Sequence, residues 1–186
     1  MPWRNTAEAY GSFAKFLHWS IVLLVIPQYF LAEAAEEVAD GSLEQASILG
    51  WHKSLGMLVL LLAVVRIAWK VMNRPHPSPI GDVVWQRKAA AAAHGILYLL
   101  ILLQPLSGWI LVSSAGGSVS LFDWVTFPAI VGENHDLHET FEEVHEVLFN
   151  AILVVAVVHV AAAVYHHWIL KDNTLRRMLP FSKPRA

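Results

Sequence analysis

Cysteine is absent from this 186-residue chain. Without thiols there can be no disulfide, iron–sulfur cluster, thiolate zinc site or C-x-x-C-H haem attachment. Charge is also scarce. Asp, Glu, Lys and Arg make up 15% of the residues, against about a quarter in soluble domains. The formal net charge of −2 leaves no basic excess to meet phosphates, which speaks against a nucleic-acid partner. No P-loop, dinucleotide fingerprint or serine hydrolase elbow occurs, so oxidation of NAD(P)H by this chain alone has no support. At 56% of the chain, apolar residues are too abundant for a disordered protein. A membrane protein is what these absences leave.

What is present agrees. Four long apolar stretches cover residues 16–32, 48–71, 89–112 and 147–170. Each approaches or exceeds the ~20 residues with which an α-helix crosses the hydrocarbon core. They are apolar all round, and the chain has almost no amphipathic helix to cover them in a soluble fold. The sequence predicts an all-α fold: an integral membrane, up-and-down four-helix bundle forming a single domain over residues 1–186. The spans are expected near 16–34, 48–71, 89–112 and 145–170. Arg4, Lys15 and Ala32-Glu33-Ala34 give the first stretch some look of a cleaved leader. Its length and the internal His18, Trp19, Pro27 and Gln28 favour a retained helix. Pro27 and Pro105 are expected to kink their helices.

The small net charge conceals a segregation. The N-terminus, the loop 72–88 with its flanking helix ends and the tail 171–186 hold twelve of the 13 Lys and Arg, but three of the 15 Asp and Glu, a net of +9. The loops 35–47 and 113–144 with their edges hold Lys53 and the other twelve acids, a net of −11. By the positive-inside rule the basic side, with both termini, is cytoplasmic and the acidic loops are periplasmic.

A histidine inside a membrane helix is costly and marks function. In the fourth helix His138, His145, His159 and His166 follow one another by seven, fourteen and seven residues. Steps of seven return to nearly one helical face, with a drift of ~20° each. His145 and His159 therefore share an inward stripe, roughly 21 Å apart along the axis at 1.5 Å per residue. His52 opens the second helix level with His145, and His18 lies at the depth of His159. Two inter-helix pairs at two depths suit two bis-imidazole haems, because iron takes the neutral ring nitrogen and leaves no charge in lipid. Gly56, one turn after His52, allows a flat porphyrin to approach, although on the glycine alone ordinary helix packing is the preferred account. Arg66 lies fourteen residues after His52, at the inner depth, where it either pairs with a haem propionate or snorkels to the interface. Lys53 reads as a solvated interface lysine that can also meet an outer propionate. His166 continues the stripe towards the cytoplasm and is the best-placed donor for a quinone carbonyl. His94, in the third helix, serves quinone or a propionate, or simply packs.

These residues resemble the small bacterial cytochrome b561 family of four-helix di-haem membrane proteins over nearly the whole chain. The resemblance runs through Phe16-Leu17-His18-Trp19, His52-Lys53-Ser54-Leu55-Gly56, Ala93-His94-Gly95 with Tyr98, and Val158-His159-Val160-Ala161-Ala162-Ala163. It ends in His166-His167 and Lys171-Asp172-Asn173-Thr174-Leu175-Arg176-Arg177-Met178. It implies axial ligation of two haem b groups by His18, His52, His145 and His159, and electron transfer between the outer face and ubiquinone. One branch of that family passes electrons from periplasmic superoxide to ubiquinone. Superoxide is an anion, and a periplasmic field of net −11 opposes its approach. The stretch from Ser107-Gly108-Trp109 to Asp123-Trp124 is more similar to a branch linked with a periplasmic isoprenoid-binding protein. A basic periplasmic donor protein suits the acidic loops.

Two other classes fit the sequence less well. A carboxylate-bridged metal site has one E-x-x-H copy, Glu142 with His145, beside His135, His138, Glu139 and Glu143, whereas a buried di-iron centre needs two copies. An ion or proton transporter places acids near the midplane, and these spans have none there.

Overall fold

The computed structural model describes residues 2–75, 77 and 83–182. Residues 76 and 78–82 of the basic loop, and 183–186 of the tail, lie outside the described residues. Four helices dominate: α1 (Ser12–Glu36), α2 (Leu43–Met72), α3 (Val84–Ser114) and α4 (His135–Trp168). All four are long and apolar enough to cross a membrane, and together they form an integral membrane bundle.

Each helix starts before its apolar stretch, because charged helix formers outside the bilayer do not stop a helix. The clearest case is α4, which starts at His135 within the acidic segment 113–144. Asn134 caps it by accepting from Leu137 N–H, and Asp136 in the first turn complements the helix dipole. Ser42 caps α2 in the same way, accepting from Gln45 N–H beside Glu44. Pro27 and Pro105 both lie inside helices. At Gly11, the N-cap of α1, a Cβ would fall 2.4 Å from the Trp3 carbonyl oxygen, so only glycine lets the N-terminal segment fold back there.

A two-stranded antiparallel hairpin, β1 (Val119–Leu121) and β2 (Val125–Phe127), interrupts the α3–α4 connection. Its turn puts Phe122 and Asp123 at φ 50° and 58°, a left-handed pair usually filled by Asn and Gly. Ser54 of α2 pins it, donating to the Ser120 carbonyl at 3.0 Å while accepting from Phe122 N–H at 3.0 Å. Buried Met57, Leu60 and Val119 pack with Leu102, Leu106, Trp109 and Val112, so the densest core lies between α2, α3 and the hairpin.

Helix pairing is uneven. α1 packs on α2, α3 packs on α4, and α2 meets α3. Among the described residues no Cα of α4 comes within 8 Å of α1 or α2, although directly packed helices have axes ~8–10 Å apart. Side chains cross that interval instead, among them Tyr29 stacked on Phe149. At the end carrying both termini, the tail folds back across the bundle. Lys15 Nζ donates to the Leu179 carbonyl at 2.9 Å, and Trp19 Nε1 donates to the Met178 carbonyl at 2.9 Å.

Candidate functional site

Two histidine pairs bridge the interval between α4 and the α1–α2 pair. Near the hairpin end, the His52 and His145 rings have centroids 6.2 Å apart and planes at 67°. Near the terminal end, the His18 and His159 rings are 6.4 Å apart at 77°. Two imidazole nitrogens each ~2 Å from one metal would place ring centroids roughly 6 Å apart. Both spacings therefore fit a ring–metal–ring sandwich, and α4 supplies one ring to each.

Neutral polar groups surround the hairpin-end pair. Ser107 Oγ lies 2.9 Å from His145 Nδ1 and donates to the Gln104 carbonyl at 2.7 Å. Gln104 Nε2 lies 3.1 Å from His145 Nε2. A nitrogen with one lone pair cannot serve this amide and a metal together. The Gln104 amide also leaves its own Oε1 buried without a partner. His52 Nδ1 and Gln28 Oε1 are likewise buried and unpartnered among the described residues. Unsatisfied polar atoms at one depth are unusual in a finished core, and with two neutral imidazoles they fit a polar-edged cofactor such as haem.

The two glycines differ. A Cβ on Gly108 would meet His145 Cε1 at 3.0 Å, so the missing side chain seats that ring. Gly56, singled out from the sequence, faces Gln28 Nε2 at the ordinary distance of 3.4 Å. Lys53 is half-buried and forms no ion pair among the described residues.

Cations gather at the other pair. Arg66 Nη1 donates to the Ala14 carbonyl at 3.0 Å, and its guanidinium lies 5.7 Å from the Tyr98 ring centroid. Arg66 thus reaches across to α1 and α3. Lys70 Nζ sits 4.4 Å from the same ring. Tyr10, ahead of α1, has its phenol pKa raised by burial and by Tyr98, against the opposing charges of Arg66 and Arg177. His94 stands 5.2 Å from the His159 ring, an arrangement the sequence left open.

His166 closes the last turn of α4. Its Nδ1 lies 2.6 Å from Asp172 Oδ2, and Thr174 N–H donates to Asp172 Oδ1 at 2.8 Å. Lys171, at φ 54°, makes the left-handed turn that brings Asp172 back, closed by Asp172 N–H on the His166 carbonyl. Burial pushes the Asp172 pKa up, but the hydrogen bonds from His166 and Thr174 outweigh it and hold the pKa below its usual value.

The remaining histidines of the acidic segment do not converge. His138 Nδ1 meets the Leu111 carbonyl at 3.1 Å, and His135 faces Glu139 at 3.7 Å on the surface. Among the described residues no group of three or more His, Asp or Glu is arranged to hold a metal ion. Sequence reasoning did not single out Gln28, Gln104, Ser107 or Asp172 as site residues. The available signal was polarity: two amides and a serine inside otherwise apolar runs.

Comparison with known proteins gives one consistent result. The profile of the family described as prokaryotic cytochrome b561 matches residues 9–181. The chain is 32% identical to "Cytochrome b561 homolog 2" of Escherichia coli over 182 residues, covering 96% of this chain and 95% of that one. It is 30% identical to the "Probable superoxide oxidase CybB" of Yersinia pestis over 175 residues, 88% and 92% of the two chains. It is 32% identical to "Cytochrome b562" of Cereibacter sphaeroides over 169 residues, 88% and 90% of the two chains.

Proposed function

This chain belongs to the prokaryotic cytochrome b561 family of electron-transfer, haem b proteins of the bacterial inner membrane, and we propose that it carries electrons through two haems between a periplasmic donor and ubiquinone. The observation that carries this reading is the two histidine pairs, 6.2 and 6.4 Å between ring centroids, facing each other across helices whose backbones stay apart. His52 and His145 would hold the outer haem, at the hairpin end. His18 and His159 would hold the inner one, at the cytoplasmic end. When bound, the haems supply two one-electron carriers stacked across the bilayer.

The protein's own groups bind, orient and neutralise. The neutral imidazoles ligate without leaving a charge in lipid. Arg66 supplies a guanidinium suited to an inner propionate, with His94 next to it. Lys53 is the candidate for an outer propionate, and Gly56 gives room on the His52 face. His166 is the proton donor proposed for a quinone carbonyl. With Nδ1–H held by the Asp172 carboxylate, a second proton taken up on Nε2 would be the one passed to the quinone carbonyl. Two electrons and two protons convert quinone to quinol, so a proton-bearing group belongs at this end.

A second reading takes its donor from the printed name of the Yersinia pestis relative, a probable superoxide oxidase: two superoxide anions would be oxidised to dioxygen, and the quinone proposed above would take their two electrons. The acidic hairpin-end loops oppose that anion and favour a basic donor protein. Stopped-flow reduction with superoxide and with basic periplasmic proteins, over a range of salt, separates the two. Reduction that slows steeply with salt supports a basic donor, and fast, salt-indifferent reduction by superoxide overturns it. Haem content tests the central reading, with two b-type haems per chain expected and a value well below two refuting it.

A further inference from the structure

Ser107 sits on the face of α3 that packs on α4 and is 3% exposed. Its hydroxyl has one proton, committed at 2.7 Å to the carbonyl of Gln104. A carbonyl oxygen can only accept, so at its 2.9 Å contact with His145 Nδ1 the serine oxygen is the acceptor. His145 therefore carries its proton on Nδ1 and keeps the Nε2 lone pair. The Gln104 amide, a donor 3.1 Å from Nε2, agrees with that tautomer. The next residue, Gly108, fixes the ring from its edge, because a Cβ there would stand 3.0 Å from Cε1. Two consecutive residues of α3 thus set proton, tilt and position of a ring that belongs to α4. No hydrogen bond of this kind reaches a ring nitrogen of His18 or His159 among the described residues.

We propose that Ser107 is the positioning residue of the outer haem site: it locks His145 in the Nδ1–H tautomer and raises the basicity of the nitrogen offered to iron. The inference rests on the reading of His145 as an axial ligand. An N–H donated to an acceptor makes an imidazole a stronger ligand. A stronger donor stabilises the oxidised, more positive metal, so the serine holds the outer potential down and leaves the inner one untouched.

The test is a redox titration of the purified, haem-loaded full chain, following the two b-type components by absorbance and by the low-spin ferric resonance. Ser107→Ala is expected to raise the outer potential, shift the outer resonance and weaken outer haem retention by about 10-fold or more. The inner component stays in place and reports an intact fold. Ser107→Thr, which keeps the hydroxyl, restores the parent behaviour. An unchanged outer potential and retention in Ser107→Ala, equal shifts of both components, or a Thr variant behaving like Ala overturns the proposal. His145→Ala separates this inference from the reading beneath it. If both components survive that change, His145 is not a ligand and both fall. If one component is lost while Ser107→Ala is silent, only the role of Ser107 falls. Should Ser107→Ala lose both haems, nitrogen-15 histidine spectra of the reduced parent protein decide. A slowly exchanging proton on His145 Nδ1 supports the lock, and a freely exchanging one overturns it.

Discussion

The outer and inner histidine pairs have nearly the same ring spacing, 6.2 and 6.4 Å, but their surroundings differ in kind. Beside the His52 and His145 rings stand two carboxamides, one hydroxyl and a glycine, and among the described residues the one cation close by is the half-buried Lys53 that follows His52. Around His18 and His159 the surroundings are cationic, with Arg66 and Lys70 on α2 sharing the Tyr98 ring. The two environments bias an electron by different means. With haems bound as proposed, hydrogen bonding would tune the outer ligand, whereas positive charge would favour the reduced state at the inner one. A unit charge ~10 Å away at an effective dielectric of ~20 contributes about 1.7 kcal/mol, or roughly 70 mV for a one-electron couple. On the proposed two-haem reading, that difference would favour electron flow from the outer site inward.

Removing a ligand breaks the comparison most severely. His52→Ala or His145→Ala should abolish one b-type spectral component and leave the other, and His18→Ala or His159→Ala the reverse. Haem per chain, measured as the pyridine haemochrome, should fall by about half in each. Loss of the same component from both sets would refute the pairing. Next is Gly108→Ala, which presses a methyl group on the His145 ring and is expected to weaken outer haem binding about 10-fold, within the range for outer-shell changes. Its inner component should titrate as in the parent protein. Arg66→Gln sharpens the contrast from the other side. It should lower the inner potential by some tens of millivolts, in line with the Coulomb estimate above, and leave the outer one unchanged in potentiometry.

The smallest effect concerns the tail. The Asp172 pKa is held below its usual value, so its carboxylate contributes at neutral pH. That contribution is complete above the unfolded value of ~3.9 and is lost as pH falls through the lower folded value. Quinone reduction should therefore persist to mild acid. Asp172→Asn should slow it a few-fold at neutral pH, while the haem spectra stay constant.

The bundle and its histidines were legible because both rest on repeats that survive in one dimension. Apolar runs report span length, and steps of seven report a shared face. The hairpin was not legible. Phe122 and Asp123 occupy left-handed positions with none of the Asn-Gly chemistry that signals such a turn. The depth of His94 was readable, but its 5.2 Å approach to His159 depends on how α3 rotates against α4. Arg66 presented two readings in the sequence, and the structure turns it onto Ala14 and Tyr98. Ser107 and Gln104 were hidden for a plainer reason. Small polar residues are common in membrane helices as packing aids, and only three-dimensional neighbours distinguish a spacer from a ligand's partner.

The folded-back tail has a mechanical consequence. It continues α4, yet its backbone carbonyls at Met178 and Leu179 are gripped by Trp19 and Lys15, on either side of His18. The helix carrying His18 and the helix carrying His159 are therefore joined like the arms of a calliper whose screw is the peptide chain. The tether limits how far the jaws at the inner pair can part. At the outer pair the corresponding tie is the hairpin segment leading into α4, which Ser54 of α2 holds through Ser120 and Phe122.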